Sequence, residues 1–131
     1  PALMPMLEGI AAEDASTHPI PLAHSVWEIV NHIAAWNSIV QHKMTGEAIQ
    51  VTTEMDWPPV WEASDVAWKR SIETLEASRA RLRGAVEALH DSRLDQIVPH
   101  EKYSYYVLLH GLVQHDLYHA GQIAVLKKAL G

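Results

Sequence analysis

Nine of the 131 residues are histidine, roughly two to three times ordinary usage. Imidazole is both the commonest protein metal ligand and the usual acid or base near neutral pH. His115-x-x-x-His119 has the spacing that brings two imidazoles onto one helix face. Residues four apart on a helix are turned by about 40° and raised by about 6 Å, so both rings can converge on one point. Spacing alone carries little weight, since nine scattered histidines give on the order of 0.6 such pairs by chance. Position carries more. Steps of three and four trace Leu108, Leu112, His115, His119, Ile123, Leu126 and Leu130, so the pair occupies the middle of an apolar stripe. An earlier stripe runs Ile29, His32, Trp36 and Ile39 or Val40, with a third histidine inside it. Three imidazole nitrogens with an open position describe a catalytic type of metal site, whereas four closed ligands would describe a structural one. The competing reading is buried neutral histidines held by hydrogen bonds. Three of them aimed at one volume are hard to satisfy on both ring nitrogens without an ion, and unpaired buried polar groups are costly. The metal reading is therefore preferred. His18, His24, His42, His90, His100 and His110 fall in loops, near helix ends or off the stripe, and receive no role.

These stripes need helices to carry them. Ser25 and Glu28 match the Ser-x-x-Glu capping box, and Thr45-Gly46 is an end signal for the helix between. Ser64 or Asp65 can cap the next helix, reaching about Leu89 with the stripe Trp68, Ile72, Leu75, Ser78 or Arg79, Leu82, Val86 and Leu89. Ser104 caps the last, which runs to Leu130 with Gly131 in the position that favours glycine. Before them, Leu3 to Ala12 is apolar and helix-like, with Pro5 limiting its start and Ser16 to Pro21 breaking the chain. Glu47 to Trp61 is a connection holding Trp57-Pro58-Pro59 and a β-branched run, Val51-Thr52-Thr53, too brief to found a sheet. The expected fold is all-α, a four-helix bundle with a short or truncated first helix.

The composition agrees. Lys and Arg number 10 against 16 Asp and Glu, a formal net charge of −6, with 48% hydrophobic and 20% charged residues. One globular domain over residues 1–131 is expected, long enough to bury about two thirds of its unfolded surface. The absence of cysteine excludes thiolate metal sites, disulfides and a cysteine nucleophile. The acidic balance without a Lys/Arg cluster argues against nucleic acid as a partner. No apolar run approaches the ~20 residues that cross a bilayer and no leader opens the chain, so no membrane partner is expected and the cytoplasm is the default. The start at Pro1 rather than Met is expected to reflect trimming or processing.

Two segments carry a family likeness: His24-Ser-Val-Trp-Glu-Ile-Val-Asn-His32-Ile-Ala-Ala-Trp36, and Leu108-Leu-His-Gly-Leu-Val-Gln-His115-Asp-Leu-Tyr-His119-Ala-Gly-Gln122-Ile123. With them the chain from Leu3 to Leu130 resembles the DinB-like superfamily, four-helix bundles related to the damage-inducible DinB proteins and to YfiT-type metal-dependent enzymes. The resemblance implies His32, His115 and His119 as ligands of a divalent ion, zinc or nickel. It implies that Gly121 lets the last helix approach a neighbour and that Gln122 sits one turn beyond His119. It also points to a homodimer. Family members often begin with a longer first helix, so part of a bundle wall or dimer surface is expected to be missing. The superfamily includes thiol-dependent transferases and a mycothiol-dependent isomerase, which makes a low-molecular-weight thiol a candidate second cofactor.

Two functions compete. The first is a metal-dependent enzyme, a hydrolase or small-thiol-dependent transferase acting on a small molecule. Three neutral ligands leave the ion its full charge, which lowers the pKa of a water or thiol and polarises a carbonyl. With no cysteine and no Gly-x-Ser-x-Gly elbow, the nucleophile would be a water or an exogenous thiol. His115-Asp116-Leu117-Tyr118-His119 has the outline of the zincin His-Glu-x-x-His, making Asp116 a candidate general base against the plainer reading of a solvated carboxylate. Glu28, one turn before His32, is a candidate catalytic or supporting carboxylate. Arg79 is a candidate to hold an anionic substrate or thiol cofactor, against a rim salt bridge. The second function is a non-catalytic metal- or ligand-binding stress-response protein. There Trp57, Trp61 and Trp68 would line an apolar pocket rather than cap the core. A coordination position reached by a cleft favours an enzyme or ligand binder over a structural site.

Overall fold

Four side-chain oxygens decide where most of the helices begin. Ser25, Thr52, Ser64 and Ser104 each accept a hydrogen bond from the backbone N–H three residues on, satisfying donors that a first helical turn cannot. At Ser25 the capping box is complete, with the Glu28 carboxylate accepting from the Ser25 backbone N–H at 2.9 Å. The computed structural model describes residues 3–131. Its helices are α1 (Leu3–Leu7), α2 (Ala12–Ser16), α3 (Val26–Met44), α4 (Thr53–Asp56), α5 (Asp65–Ala88) and α6 (Tyr105–Leu130), with one 3₁₀ turn at Asp91–Arg93. Among the described residues there is no strand, only an isolated bridge between Ile97 and Ser104. The fold is all-α, as expected.

Two local readings need correction. Of the apolar opening Leu3 to Ala12 only Leu3–Leu7 is helical as α1, and α2 starts at its last residue, because Gly9 between them takes a left-handed φ of 79° that glycine adopts without strain. Pro5 falls inside α1, in a first turn where its missing N–H has no intrahelical partner to lose. The connection is also less irregular than expected, since Thr52 caps α4 inside it.

Packing centres on α3, which contacts both α5 and α6 extensively. It is consequently buried around most of its girth, with Val26, Trp27, Ile29, Val30, Ile33, Ile39 and Val40 all in the core. The α6 stripe is inside from Leu112 through His119 and Ile123 to Leu126. Trp27 and Trp68 pack at 5.2 Å between ring centroids, and each indole N–H finds an acceptor, Ser71 Oγ and the Ile10 carbonyl, both at 2.9 Å. Their polar edges therefore go inside without an unpaired donor. The polar midpoint of the α5 stripe is Ser78, whose hydroxyl accepts from Asn37 Nδ2 at 3.2 Å and donates to the Leu75 carbonyl. The core is discontinuous along α6: Leu112 belongs to a small cluster with Val40 and Leu82, while Ala120, Ile123 and Leu126 belong to the main one. His115 and His119 lie in the gap. No helix of the described residues is long and apolar enough to cross a membrane.

Candidate metal centre

The three histidines from distant parts of the chain meet in that gap. His32 comes from the middle of α3, and His115 and His119 come from successive turns of α6. One ring nitrogen from each lies within 4.8 Å of the others. His32 and His119 are each 5% exposed, and the ring centroids are 4.4 to 4.8 Å apart. His32 Nε2 and His115 Nε2 stand 2.9 Å from each other.

The outward nitrogens fix the chemistry of the inward ones. His32 Nδ1 donates to the Asp56 backbone carbonyl, which can only accept. Its Nε2 is therefore left with a lone pair in the neutral ring. His119 Nδ1 donates to Gln122 Oε1 at 2.6 Å, and the Gln122 amide N–H in turn reaches Tyr118 Oη at 3.3 Å. Its Nε2 is also bare. Burial pushes the pKa of both His32 and His119 down, against the hydrogen bonds to Asp56 and Gln122 that raise it, so both rings favour the neutral form that can ligate a metal.

Tryptophan completes the enclosure. Trp57 stacks on both His24, at 3.6 Å and 10° between planes, and His32, at 3.8 Å and 5°. Trp36 donates its indole N–H to Asp56 Oδ1 at 2.7 Å, which anchors the residue whose carbonyl holds His32. The histidines open onto a cavity of about 530 Å³ walled by Trp36, Val40, Trp57, Leu108 and Leu112, with Asp56, Tyr103 and Tyr118 as its polar members. No lysine or arginine lines it.

The other expected residues are distributed differently. Asp116 lies beside the cluster, its Oδ1 3.5 Å from His115 Nδ1. Glu28 and Arg79 are not on the cavity wall. The Glu28 carboxylate is taken up by the Ser25 cap and by His18 Nε2 at 2.8 Å. Burial opposes its ionisation, but those hydrogen bonds outweigh it and hold the carboxyl below its usual range. Arg79 has a buried Nη1 without a hydrogen-bond partner. The three tryptophans do not form one cluster: Trp57 stacks on His32, Trp61 is 84% exposed and Trp68 is in the core. Gly121 makes no close approach, because a Cβ there would meet nothing within 4 Å.

Asp56 and His24 are the participants that sequence reasoning missed, and Trp57, read as a pocket-lining residue, does line the cavity but stacks on His32 as well. The available signal was Thr52 followed by Glu54 and Asp56, a cap with acidic residues in the first turn of a short helix. That signal places a helix, but not its approach to His32.

No curated protein and no solved structure matches the chain significantly. A family model described as the DinB superfamily matches residues 2–123. That span holds the α3 histidine, the α6 pair and Gln122, and by it the chain belongs to the DinB superfamily.

Proposed function

We propose that the protein binds one divalent ion through His32, His115 and His119 and is a metal-dependent enzyme acting on a small, largely apolar molecule. The observation that carries the reading is the pair of bare Nε2 lone pairs, on His32 and His119, that face a common point with His115. Two acceptors converging on one volume, with one histidine N–H at most between them, suit a cation better than a purely hydrogen-bonded core. Imidazole donors match zinc or nickel among the divalent ions. A bound ion would supply Lewis acidity and lower the pKa of a water or small thiol, which are the chemistries of hydrolysis and thiol transfer. The adjoining cavity supports an enzyme or ligand binder over a purely structural site, because a small molecule can reach the histidines. Its wall of tryptophan and aliphatic side chains, without a lysine or arginine, fits a neutral apolar substrate arm.

The test has two stages. Protein purified without a histidine tag is analysed for metal, beside His119→Ala and His90→Ala. The ion should fall sharply in the first variant and be unchanged in the second; equal retention in both would sink the ligand assignment. The metal-loaded protein is then screened on ester, amide and thiol-acceptor panels, with and without low-molecular-weight thiols. Activity should be lost in His115→Ala. Silence on every panel by protein that holds its ion would favour the binding-protein reading.

A further inference from the structure

Two of the three histidines have an assigned partner behind them, and the third does not. His115 Nδ1 is buried without a hydrogen-bond partner, and so is Asp116 Oδ1. The two atoms are 3.5 Å apart, beyond the 2.7 to 3.2 Å of an N–H···O bond. Each unsatisfied buried group carries a desolvation cost, and here two lie side by side on adjacent residues.

The tautomers explain the gap. Because His32 Nδ1 carries its hydrogen toward the Asp56 carbonyl, His32 Nε2 is an acceptor. The 2.9 Å contact with His115 Nε2 is then a hydrogen bond in which His115 Nε2 donates. A neutral His115 has one N–H, so its Nδ1 is a lone pair facing a carboxylate oxygen, and the two repel. Ligation reverses this arrangement. To coordinate, His115 Nε2 would have to give up its hydrogen, the neutral ring would carry it on Nδ1 instead, and that N–H would face Asp116 Oδ1.

Resting on the three-histidine reading above, we propose that Asp116 is a positioning residue: it accepts a charge-assisted hydrogen bond from His115 Nδ1 when the ion is bound, fixing the ring's tautomer and direction. No net proton is lost by His115 in the exchange, since the hydrogen leaving Nε2 is replaced by one on Nδ1 through solvent. Asp116 thereby does for His115 what the Asp56 carbonyl does for His32 and the Gln122 amide for His119. It acts through a ligand rather than on the substrate, in place of the general-base role that its position between the two histidines invites.

The experiment is a zinc titration by competition with a chromophoric chelator on the wild type, Asp116→Asn, Asp116→Ala and His119→Ala, with helicity checked by circular dichroism. Partners of this kind are worth roughly 10- to 100-fold in metal affinity. Asp116→Ala should lose that much, and Asp116→Asn, which keeps an oxygen acceptor without the charge, should recover part of it. Long-range ¹H–¹⁵N spectra of the zinc-loaded wild type should place the His115 hydrogen on Nδ1 and the metal on Nε2, a readout that needs no variant to fold. Wild-type affinity in Asp116→Ala, or a His115 ligating through Nδ1, overturns the role of Asp116. If His119→Ala alone loses zinc, the metal site stands and only Asp116 falls. A wild type that takes up no zinc, nickel or cobalt overturns both.

Discussion

At the scale of single residues, the centre is a set of imidazoles whose orientation is decided from behind. The Gln122 amide acts on His119 through one 2.6 Å hydrogen bond. Gln122→Ala is expected to weaken zinc binding by roughly 10- to 100-fold, measured by chelator competition, while leaving the helical circular dichroism signal unchanged. The same residues make the ion-free protein sensitive to acid. Burial lowers the pKa of His32 and His119 in the fold, so as pH falls below about 6.5 the unfolded chain takes up protons that the folded chain refuses. Stability is therefore highest above that value and declines as pH falls from the unfolded histidine pKa toward the folded one. Thermal melts of chelator-treated protein should show a lower Tm at pH 5.5 than at pH 7.5, and the slope should flatten in a His32→Gln, His119→Gln double variant. Metal occupancy should follow the same direction, because protons compete for the ligand nitrogens. Retention well below pH 4 would count against imidazole ligation.

At the scale of elements, short pieces have effects out of proportion to their length. The four-residue α4 presents the Asp56 carbonyl to His32 and the Asp56 carboxylate to Trp36, and it is started by the Thr52 cap. Thr52→Ala removes an N-cap worth about 1 kcal/mol. Because α4 buries none of its side chains, little of that loss should appear in global stability. It should appear as weaker zinc binding, with the Tm of the ion-free protein nearly unaltered. Ser25 is the contrasting case, since its capping box starts the helix at the centre of the fold. Ser25→Ala should lower stability by about 0.5 to 2 kcal/mol in urea denaturation. An effect at Thr52 as large as that at Ser25 would mean that α4 is a pillar of the fold rather than a bracket for His32.

At the scale of the whole molecule, α6 has two faces of different fate. One carries the histidines into the core, and the other leaves Val113, Leu117 and Val125 more than half exposed. If the chain forms the homodimer that the family likeness implies, this face is where a second copy is expected to sit, since it would cover apolar surface. Sedimentation equilibrium should give a mass that rises from monomer to dimer with concentration, and Leu117→Asp should hold the chain at monomer. A monomer at every concentration, or a dimer indifferent to Leu117→Asp, would remove the face from consideration.

Much of this was legible in the order of residues, because helix signals are local. Ser25-x-x-Glu28, Ser64 and Ser104 mark helix starts through hydrogen bonds spanning three residues, and the placing of His115 and His119 on one face needs only the helical repeat. Where the information was not local, the sequence was silent or ambiguous. It gave Glu28 two employments, and tertiary structure settled its carboxylate on the cap and His18. It left the α5 midpoint between Ser78 and Arg79, which the facing Asn37 resolves in favour of Ser78. It offered no sign that Asp56 and Trp57 would back His32, since 24 residues of chain separate the Asp56 carbonyl from the imidazole it holds. Spacing along a helix specifies which side chains share a face, whereas the tautomer of each imidazole depends on what another element brings behind it. Which three histidines come together was thus readable from the chain, and the direction of the His32 and His119 lone pairs was decided only by what packs behind each ring.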